Sequence, residues 1–404
     1  MMENNDNIKE TIETKPGRRY DIDALRVFAT VLTIVFHTAM LFAYGIGGYF
    51  IQNNELSLEM MIFVLFVDIW HMPLFFFLAG MSTSYSLKFR TGTEYLKERI
   101  KRIVIPLIFG ILIVIPPITY FMRIAWWSDT RYDTRNFYGT FIEFYPLFFV
   151  TGFDWYHLWF IGYLFILSLV ALPLFLRWNK EEGKKKVSSI AEKYGKGKKI
   201  FLFALPLIII NVGLRWLFPG FSKYFIDDWA HVLFYLMIFI YGFLIIRDIR
   251  FEDSIDRNRK LALILGIITS IIWLLLVFII ILFYASFTPL ILLIWYIAVY
   301  VALSFCSWCW LIAIYGYGKK LLTQPNSIIN YLSKIALPIY IIHLTVIIAI
   351  GFYVLQWEAH WAVKFLVVSI SSVFLTILLC ILIKTNNITR FIFGMRPKVK
   401  KELE

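Results

Sequence analysis

The sequence predicts an all-α integral membrane protein with about ten transmembrane helices and both termini in the cytoplasm. Hydrophobic residues make up 60% of the 404 residues, and the mean hydropathy is +0.73, whereas soluble domains are closer to half apolar. Apolar runs of about 20 residues recur along the chain, and each is long enough to cross a bilayer as a helix. Lysines and arginines stand in short blocks between these runs, which is typical of polytopic membrane proteins.

The crossings follow one another from near the N-terminus almost to the end of the chain. The predicted spans are residues 22–46, 58–87, 103–122, 156–176, 200–218, 229–246, 261–284, 288–316, 330–354 and 361–385. We therefore expect one membrane domain over residues 22–385, between a cytoplasmic N-terminal tail (1–21) and a basic cytoplasmic tail (386–404). No small-residue cleavage site follows the first run, so we expect that helix to remain in the membrane.

The distribution of charge predicts the orientation of these helices. With a cytoplasmic N-terminus, the inner segments carry all but seven of the 40 lysines and arginines, in agreement with the positive-inside rule. Membrane orientation then explains the net charge of +13, and we expect no nucleic-acid partner. The expected location is the plasma (cell) membrane, where the chain is a multi-pass protein in contact with the lipid bilayer.

The first predicted helix carries a polar stripe on an otherwise apolar surface. Arg26 and His37 are eleven residues apart, and eleven steps of about 100° return to within roughly 20° of the starting direction. Thr30 and Thr33 lie within about 40° of the same direction, while Asp23 lies about 60° from it. At about 1.5 Å per residue, roughly 16 Å separates Arg26, near the cytoplasmic surface, from His37, beyond the bilayer centre.

His37 is the leading candidate for a catalytic residue. An ionisable side chain at such depth costs free energy unless it faces a cavity or a partner, and imidazole is the usual proton acceptor near neutral pH. The alternative for His37 is a hydrogen-bond network between helices that does no chemistry. For Arg26 the alternative is a side chain that simply extends to the membrane interface.

The other histidines lie from mid-membrane outward in this topology. His71 follows Asp68 by three residues, a spacing that places both on one helix face, so Asp68 is expected to orient the His71 ring. His343 is expected at a depth like that of the first-helix histidine, while His157 and His231 open two later spans from the outer side. No HxxxH or HxH spacing occurs, and we expect no metal site.

A basic cluster precedes the third predicted span. Arg99 and Arg102 lie just before Pro106. Basic residues in such a place commonly do no more than fix orientation; alternatively, their forked guanidinium groups suit the phosphates of an anionic donor. With arginines inside and histidines outside, the chain suits a reaction that joins a cytoplasmic donor to an extracytoplasmic acceptor.

These elements resemble the membrane acyltransferase 3 family, which includes bacterial glucan-modifying proteins and sugar O-acetyltransferases. Arg26 and His37 match the family's Arg-x10-His signature. The other similar stretches are His71–Gly80, Glu98–Pro106, His157–Phe160 and Leu337–His343. They occur in order across most of the chain, and the His-Met-Pro-Leu-Phe-Phe stretch is most similar to the glucan biosynthesis protein C-like branch.

The resemblance implies an O-acyltransferase that moves an acyl group, such as acetyl or succinyl, from cytoplasmic acyl-CoA to an outward-facing hydroxyl of a cell-surface glycan. It implies that His37 is catalytic and that the donor side includes Arg26, Arg99 and Arg102. The further catalytic candidates are Asp68, His71 and His343, and the supporting candidates are Asp23, Thr30, Thr33 and His157. No bound cofactor is expected, because acyl-CoA is a substrate.

The sequence also leads to expectations about a partner protein and about two rival functions. The sequence has no counterpart of the C-terminal soluble hydrolase-like domain of some peptidoglycan O-acetyltransferases, so a partner acyltransferase or synthase is expected to finish the transfer. One rival function is a transporter or flippase for a glycan or lipid-linked sugar, with the polar stripe as its path. The other is a non-catalytic scaffold subunit whose polar groups only hold helices together.

Overall fold

The computed structural model describes residues 18–45, 50–125, 137–151, 153–218 and 227–398. Within these residues the regular structure is helical and no strand is present, so the all-α fold class is confirmed. The helices are α1 Tyr20–Met40, α2 Leu58–Asp68, α3 His71–Ser86, α4 Gly92–Arg99, α5 Ile105–Phe109, α6 Ile115–Ile124, α7 Phe141–Thr151, α8 Trp159–Asn179, α9 Glu181–Tyr194, α10 Ala204–Leu214, α11 Trp229–Ile245, α12 Ile249–Phe283, α13 Pro289–Leu321, α14 Ser327–Val354, α15 Trp361–Ile383 and α16 Asn387–Ile392. Most of the predicted N-terminal tail, residues 1–17, lies outside the described residues.

Eight helical segments of the described chain are long and apolar enough to cross a membrane. They are Tyr20–Met40, Leu58–Ser86, Gly92–Ile124, Tyr156–Asn179, Ile249–Ser286, Pro289–Leu321, Ser327–Val354 and Trp361–Ile383. A ninth requires α9 and α10 to be counted together, although they meet at 118°. α11 has 17 residues and is about 26 Å long, against ~30 Å for the hydrocarbon core. The chain is a multi-pass membrane protein, but helix length alone does not reach the predicted ten crossings.

The predicted span 58–87 is interrupted. α2 ends at Asp68 and α3 begins at His71, and the two residues between them form a turn. Pro73, the third residue of α3, has no N–H to donate to the carbonyl of Ile69, and proline is tolerated in a first helical turn because that donor would be unused there. Asp68 and His71 therefore lie on either side of a break and not, as predicted, on one continuous helix.

The third span, α4 to α6, contains two π-helical turns, Ile100–Val104 and Gly110–Val114. Pro116 lacks the N–H that would bond to the carbonyl of Leu112, and the hydroxyl of Tyr145 donates to that carbonyl at 3.0 Å instead. A π turn holds more residues than an α turn, so side chains on either side of it leave the 3.6-residue period. The direction in which the basic residues of this span point cannot be extrapolated from that period.

α3 and α11 lie side by side because two glycines let their backbones approach closely. A Cβ on Gly80 would lie 2.0 Å from the carbonyl oxygen of Phe239, and one on Gly242 would lie 2.0 Å from that of Phe77. Small residues at helix contacts are typical of membrane proteins. This contact fixes the first turn of α11, which carries His231, relative to the start of α3.

α1 lies at the centre of the bundle and packs against α2, α3, α13, α14 and α15. By contrast, α12 and α13 form a hairpin that exposes most of its length. The exposed side chains of this hairpin are largely aliphatic, including Ile264, Ile268, Ile271, Leu275, Leu290 and Leu293. Apolar residues on an exposed face are what a helix in lipid requires. The polar stripe of the first helix is therefore enclosed by protein.

Two segments predicted as a loop and a tail contain helices. The predicted inner loop 177–199 includes α9, and the predicted tail 386–404 includes α16. After α16, Gly394 adopts φ +69°, and a Cβ there would lie 2.9 Å from the carbonyl oxygen of Arg102 and from Pro106. Glycine at this position lets the chain fold back onto the start of the third span.

Candidate active site

A cavity of about 280 Å³ lies among the central helices. Its wall contains four of the six histidines, His37, His71, His157 and His231, together with Asp68. Much of the remaining wall is aromatic and comprises Phe36, Phe50, Tyr156, Trp159, Tyr235 and Tyr340. No three His, Cys, Asp or Glu side chains of the described chain are placed to hold a metal ion. We call this space the histidine cavity.

The ring of His37 is fixed through its Nδ1 atom. Nδ1 lies 3.0 Å from the carbonyl oxygen of Thr33 and 3.2 Å from Nε2 of His343. Because a carbonyl oxygen can only accept, Nδ1 carries the proton in the neutral ring. Nε2 is then the unprotonated nitrogen, and it has no hydrogen bond to another described residue, while the ring lines the cavity. His37 therefore presents a proton-accepting nitrogen to the cavity.

His343 lies behind His37 and is fully buried. Its Nδ1–H donates to the carbonyl of Tyr340 at 2.6 Å, which leaves Nε2 to accept the proton of His37. The ring of His157 is 4.8 Å from that of His343, and its Nε2 bonds to the carbonyl of Ile341 at 2.8 Å. The Tyr340 hydroxyl donates to the carbonyl of His157. Tyr340 and His343 thus join α14 to α1 and to the turn that precedes α8.

His71 is held by the backbone of α1. Its Nε2 lies 2.9 Å from the carbonyl oxygen of Ala29 and 3.3 Å from Oγ1 of Thr33. The Thr33 hydroxyl donates to Ala29 at 2.9 Å, and the Thr30 hydroxyl donates to the carbonyl of Arg26 at 2.8 Å. The predicted stripe therefore exists along α1, but both threonine hydroxyls are buried and bonded within their own helix.

Asp68 lines the histidine cavity with an exposed side chain. It makes no hydrogen bond or ion pair with His71, because the helix break separates the two residues and the ring of His71 is oriented by α1 instead. Contrary to the expectation from the spacing, Asp68 therefore does not orient the His71 ring. Asp68 instead offers a carboxylate to whatever enters the cavity.

A second cavity, of about 660 Å³, lies at the opposite end of the polar stripe on α1. Five arginines line it, namely Arg18, Arg19, Arg26, Arg90 and Arg396. Arg26 donates to Asp23 at 3.1 Å and to the Ser82 hydroxyl at 2.7 Å. A concentration of guanidinium groups around one cavity suits a ligand that carries several negative charges. We call this space the arginine cavity.

Arg99 and Arg102, two of the three predicted donor-side arginines, are not among the residues that line the arginine cavity. Arg99 donates to the Tyr95 hydroxyl at 2.8 Å and to Oγ1 of Thr83 at 2.7 Å. Arg102 pairs with Glu98 at 3.2 Å. The structure therefore engages Arg99 in a contact between α4 and α3, and engages Arg102 within its own span. Only Arg26 of the three lines the cavity.

Several residues of the two cavities carry little signal in the sequence. His231 lines the histidine cavity with Nδ1 2.6 Å from Asp228; the available signal is an aspartate three residues before a histidine at a helix start. Arg90 and Arg396 are far apart in the chain, and no local pattern marks them. Tyr156 has a positive φ of 38°, which no side-chain pattern predicts.

The chain matches a family of known proteins over nearly its whole length. The family model described as "Acyltransferase domain" matches residues 19–385. The chain is 22% identical over 396 residues to Glucans biosynthesis protein C of Salmonella typhimurium, covering 95% of this chain and 97% of that protein. It is 23% identical over 410 residues to Glucans biosynthesis protein C of Escherichia coli, covering 95% and 96%. No solved structure matches the chain.

Proposed function

The chain belongs to this acyltransferase family and is a membrane enzyme, and we propose that it transfers an acyl group from cytoplasmic acyl-CoA to a hydroxyl of an extracytoplasmic glycan. The main support is the ring of His37, whose Nδ1 is held by Thr33 and His343 while the ring lines the histidine cavity. A neutral imidazole held in this way can take the proton of a hydroxyl that enters the cavity.

The proposed topology has ten crossings, with both termini in the cytoplasm and the plasma membrane as location. α10, together with the helical turn Lys199–Phe203 before it, and α11 supply the two shorter crossings. The distribution of lysine and arginine supports this orientation. The arginine cavity then opens toward the cytoplasm, and the histidine cavity belongs to the outer half of the protein.

The donor is proposed to bind with its phosphates in the arginine cavity. Acyl-CoA is polyanionic, and arginine forks bond phosphates in pairs. Arg26 and His37 lie on one face of α1, roughly 16 Å apart along its axis, so a donor anchored beside Arg26 extends its thioester along the helix toward His37. Arg99 and Arg102 then support the donor side indirectly, by holding the third span in place.

The reaction balances with the donor, the acceptor and His37. The acceptor hydroxyl gives its proton to Nε2 of His37, and its oxygen attacks the carbonyl carbon of the thioester. A C–O bond forms as the C–S bond breaks, and the leaving thiolate of CoA takes up the proton from His37. A covalent acyl-histidine is the less favoured variant.

Other residues are assigned by their contacts. His343 is proposed to orient His37 and to stabilise its imidazolium, because its Nε2 accepts the Nδ1–H of His37. His71 and Asp68 face the same cavity and are proposed to contact the reacting groups. Supporting roles fall to Asp23, which accepts from the Arg26 side chain on the same helix, and to three residues that bond to a backbone carbonyl or to His71, namely Thr30, Thr33 and His157.

The acceptor class is proposed from two lines of support. The relatives are named for the biosynthesis of glucans, and the aromatic wall of the histidine cavity offers surfaces on which sugar rings can pack. A partner acyltransferase or synthase is proposed to supply or finish the modified glycan.

Radiolabelled acetyl-CoA supplied to inverted membrane vesicles tests the proposal. We expect label to enter glycan with the wild type and to fall at least ~100-fold with His37→Ala, the loss typical of a missing general base. His360→Ala is the matched control, because 62% of the His360 side chain is exposed. Equal labelling with His37→Ala at equal protein level would overturn the role of His37. Glycan export without acylation would favour the transporter, and loss of membrane protein alone would favour the scaffold.

A further inference from the structure

Besides His37, the histidine cavity contains His231, whose ring is held by the carboxylate of Asp228. Asp228 precedes α11 and accepts the backbone N–H of His231 at 3.0 Å and its Nδ1–H at 2.6 Å. Arg215 bonds both carboxylate oxygens of Asp228 at 3.0 Å. Asp228 is fully buried and Arg215 is 5% exposed, so this is a built network and not a surface pair.

The network fixes the tautomer of His231. A carboxylate that accepts from an arginine and from a backbone N–H is held in its ionised form, since these bonds favour the charged state. An ionised carboxylate can only accept, so Nδ1 of His231 carries the proton. In the neutral ring Nε2 is then the accepting nitrogen, and the ring lines the same cavity as His37.

Stacked rings hold His231 in one plane. It lies over Tyr235, with ring centres 5.3 Å apart and planes within 9°. Tyr235 stacks in turn on Phe76 at 4.5 Å and contacts Trp159 at 5.8 Å. The contact between Tyr235 and Phe76 sets α11 against α3, so His231 lies near the level of His71, at the start of α3.

We infer that His231 binds the acceptor, with Asp228 and Arg215 as its positioning residues. This inference rests on the proposed function and names the acceptor more closely, as a molecule with at least two hydroxyls and an apolar face. One hydroxyl donates to Nε2 of His231, another donates to Nε2 of His37 and is acylated, and the apolar face packs on Tyr235 or Trp159. A glycan ring has this chemistry.

The donor fits this end of the protein less well. Its phosphates are accommodated by the arginine cavity, at the other end of the stripe on α1. A thioester group has no hydroxyl to donate to an imidazole. The carboxyl group of Asp68 in the same wall can accept hydrogen bonds from hydroxyl groups. The groups around His231 therefore suit a polyhydroxylated molecule.

Two substitutions separate acceptor binding from a purely structural role. Asn at position 231 keeps a donor near the position of Nδ1, within reach of Asp228, but lacks a group at the position of Nε2. Gln places an amide near the position of Nε2 but loses the bond to Asp228. If His231 binds the acceptor, His231→Asn is the more damaging change; if it only holds α11 in place, His231→Gln is.

The measurement is steady-state transfer from acetyl-CoA to a pentasaccharide of glucose by the full chain in detergent. For His231→Asn we expect the acceptor KM to rise about tenfold, the value of one hydrogen bond. His231→Gln should raise it less. The donor KM should stay unchanged in both variants, with His360→Gln as the control.

The outcomes distinguish this inference from the function on which it rests. A greater loss with Gln than with Asn, an unchanged acceptor KM in both, or an Asn variant that no longer folds would each overturn acceptor binding by His231. If the wild type acylates vesicle glycan but not the pentasaccharide, the glucose-like acceptor is wrong. A wild type that acylates neither would overturn the proposed function itself.

Discussion

The two cavities along α1 hold their polar side chains in different ways. In the histidine cavity, His37 and His71 bond to backbone carbonyls of α1, and the neighbouring His343 bonds to a carbonyl of its own helix. In the arginine cavity, Arg26 and Arg90 bond to side chains, which are carboxylates and serine hydroxyls. These three histidines have partners on rigid backbone and the arginines have mobile side chains as partners; His231, which bonds to the buried carboxylate of Asp228, is the exception in the histidine cavity.

This difference suits two different tasks. A carbonyl in a packed helix does not move, so the imidazoles keep one orientation, as proton transfer at a defined distance requires. Long arginine side chains can exchange carboxylate partners for phosphates, as binding of a flexible polyanion requires. We therefore expect substitutions of the backbone-held histidines, His37, His71 and His343, to lower kcat, and substitutions in the arginine cavity to raise the donor KM.

The largest effect that tests this comparison is expected at His343. His343→Ala removes the group that accepts the Nδ1–H of His37 and stabilises its charged form, whereas the carbonyl of Thr33 still holds the ring. We expect kcat to fall about 100-fold, at the lower end of general acid–base effects, with the donor KM unchanged. Steady-state kinetics with acetyl-CoA measure both constants. A raised donor KM at normal kcat would assign His343 to donor binding and break the comparison.

A smaller effect is expected from a matched pair of arginines. Arg90 and Arg102 both pair with Glu98, at 3.0 and 3.2 Å, and 35% and 37% of their side chains are exposed. Only Arg90 lines the arginine cavity. We expect Arg90→Ala to raise the donor KM about fivefold, which is about 1 kcal/mol for a partly exposed charged contact. Arg102→Ala should change it less than about twofold.

The same pair tests the role that the family resemblance implies for Arg102. Titration of both variants with acetyl-CoA at low and high salt measures the donor KM and shows how far it depends on charge. The rise in donor KM caused by Arg90→Ala should be smaller at high salt, because salt screens the contact between charges. An equal rise in both variants would show that Arg102 reaches the donor phosphates. The lining of the arginine cavity would then be a poor guide to the donor site.

The part of the site that the sequence predicts well lies on one uninterrupted helix. Arg26, Thr30, Thr33 and His37 fall on one face of α1 because no proline or π turn disturbs its 3.6-residue period. The period is purely local, so spacing alone was sufficient to align them. The all-α fold follows as directly, because repeated long apolar runs leave helices as the main way to satisfy the backbone in lipid.

The remainder of the candidate site depends on breaks in helices and on contacts between distant segments. A helix break separates Asp68 from His71, and a π turn begins directly after Arg99; both shift the directions that a regular period predicts. The contact between His37 and His343 joins residues 306 positions apart. Nothing local in a sequence specifies such a pair, so spacing places each residue at a depth but does not bring the two together.

The smallest expected effect concerns the backbone of the histidine cavity. Tyr156 lines that cavity with a positive φ of 38°, a conformation that costs a residue with a Cβ about 1 kcal/mol relative to glycine. Its amide donates to Asp154 at 2.7 Å, which fixes the turn just before His157. If this cavity is the rigid one, the packed structure maintains that conformation whatever residue occupies the position.

Tyr156→Gly and Tyr156→Ala remove the same ring and differ only in the Cβ. We expect the Gly variant to be the more stable by about 1 kcal/mol, with equal kcat in the two variants, because both keep the turn that presents His157. Thermal unfolding in detergent and steady-state kinetics on the pair measure this. Equal stability, or a kcat lower in Ala than in Gly, would mean that the turn relaxes when the ring is lost. The rigidity ascribed to the histidine cavity would then depend on the Tyr156 side chain, and the contrast with the arginine cavity would be one of degree.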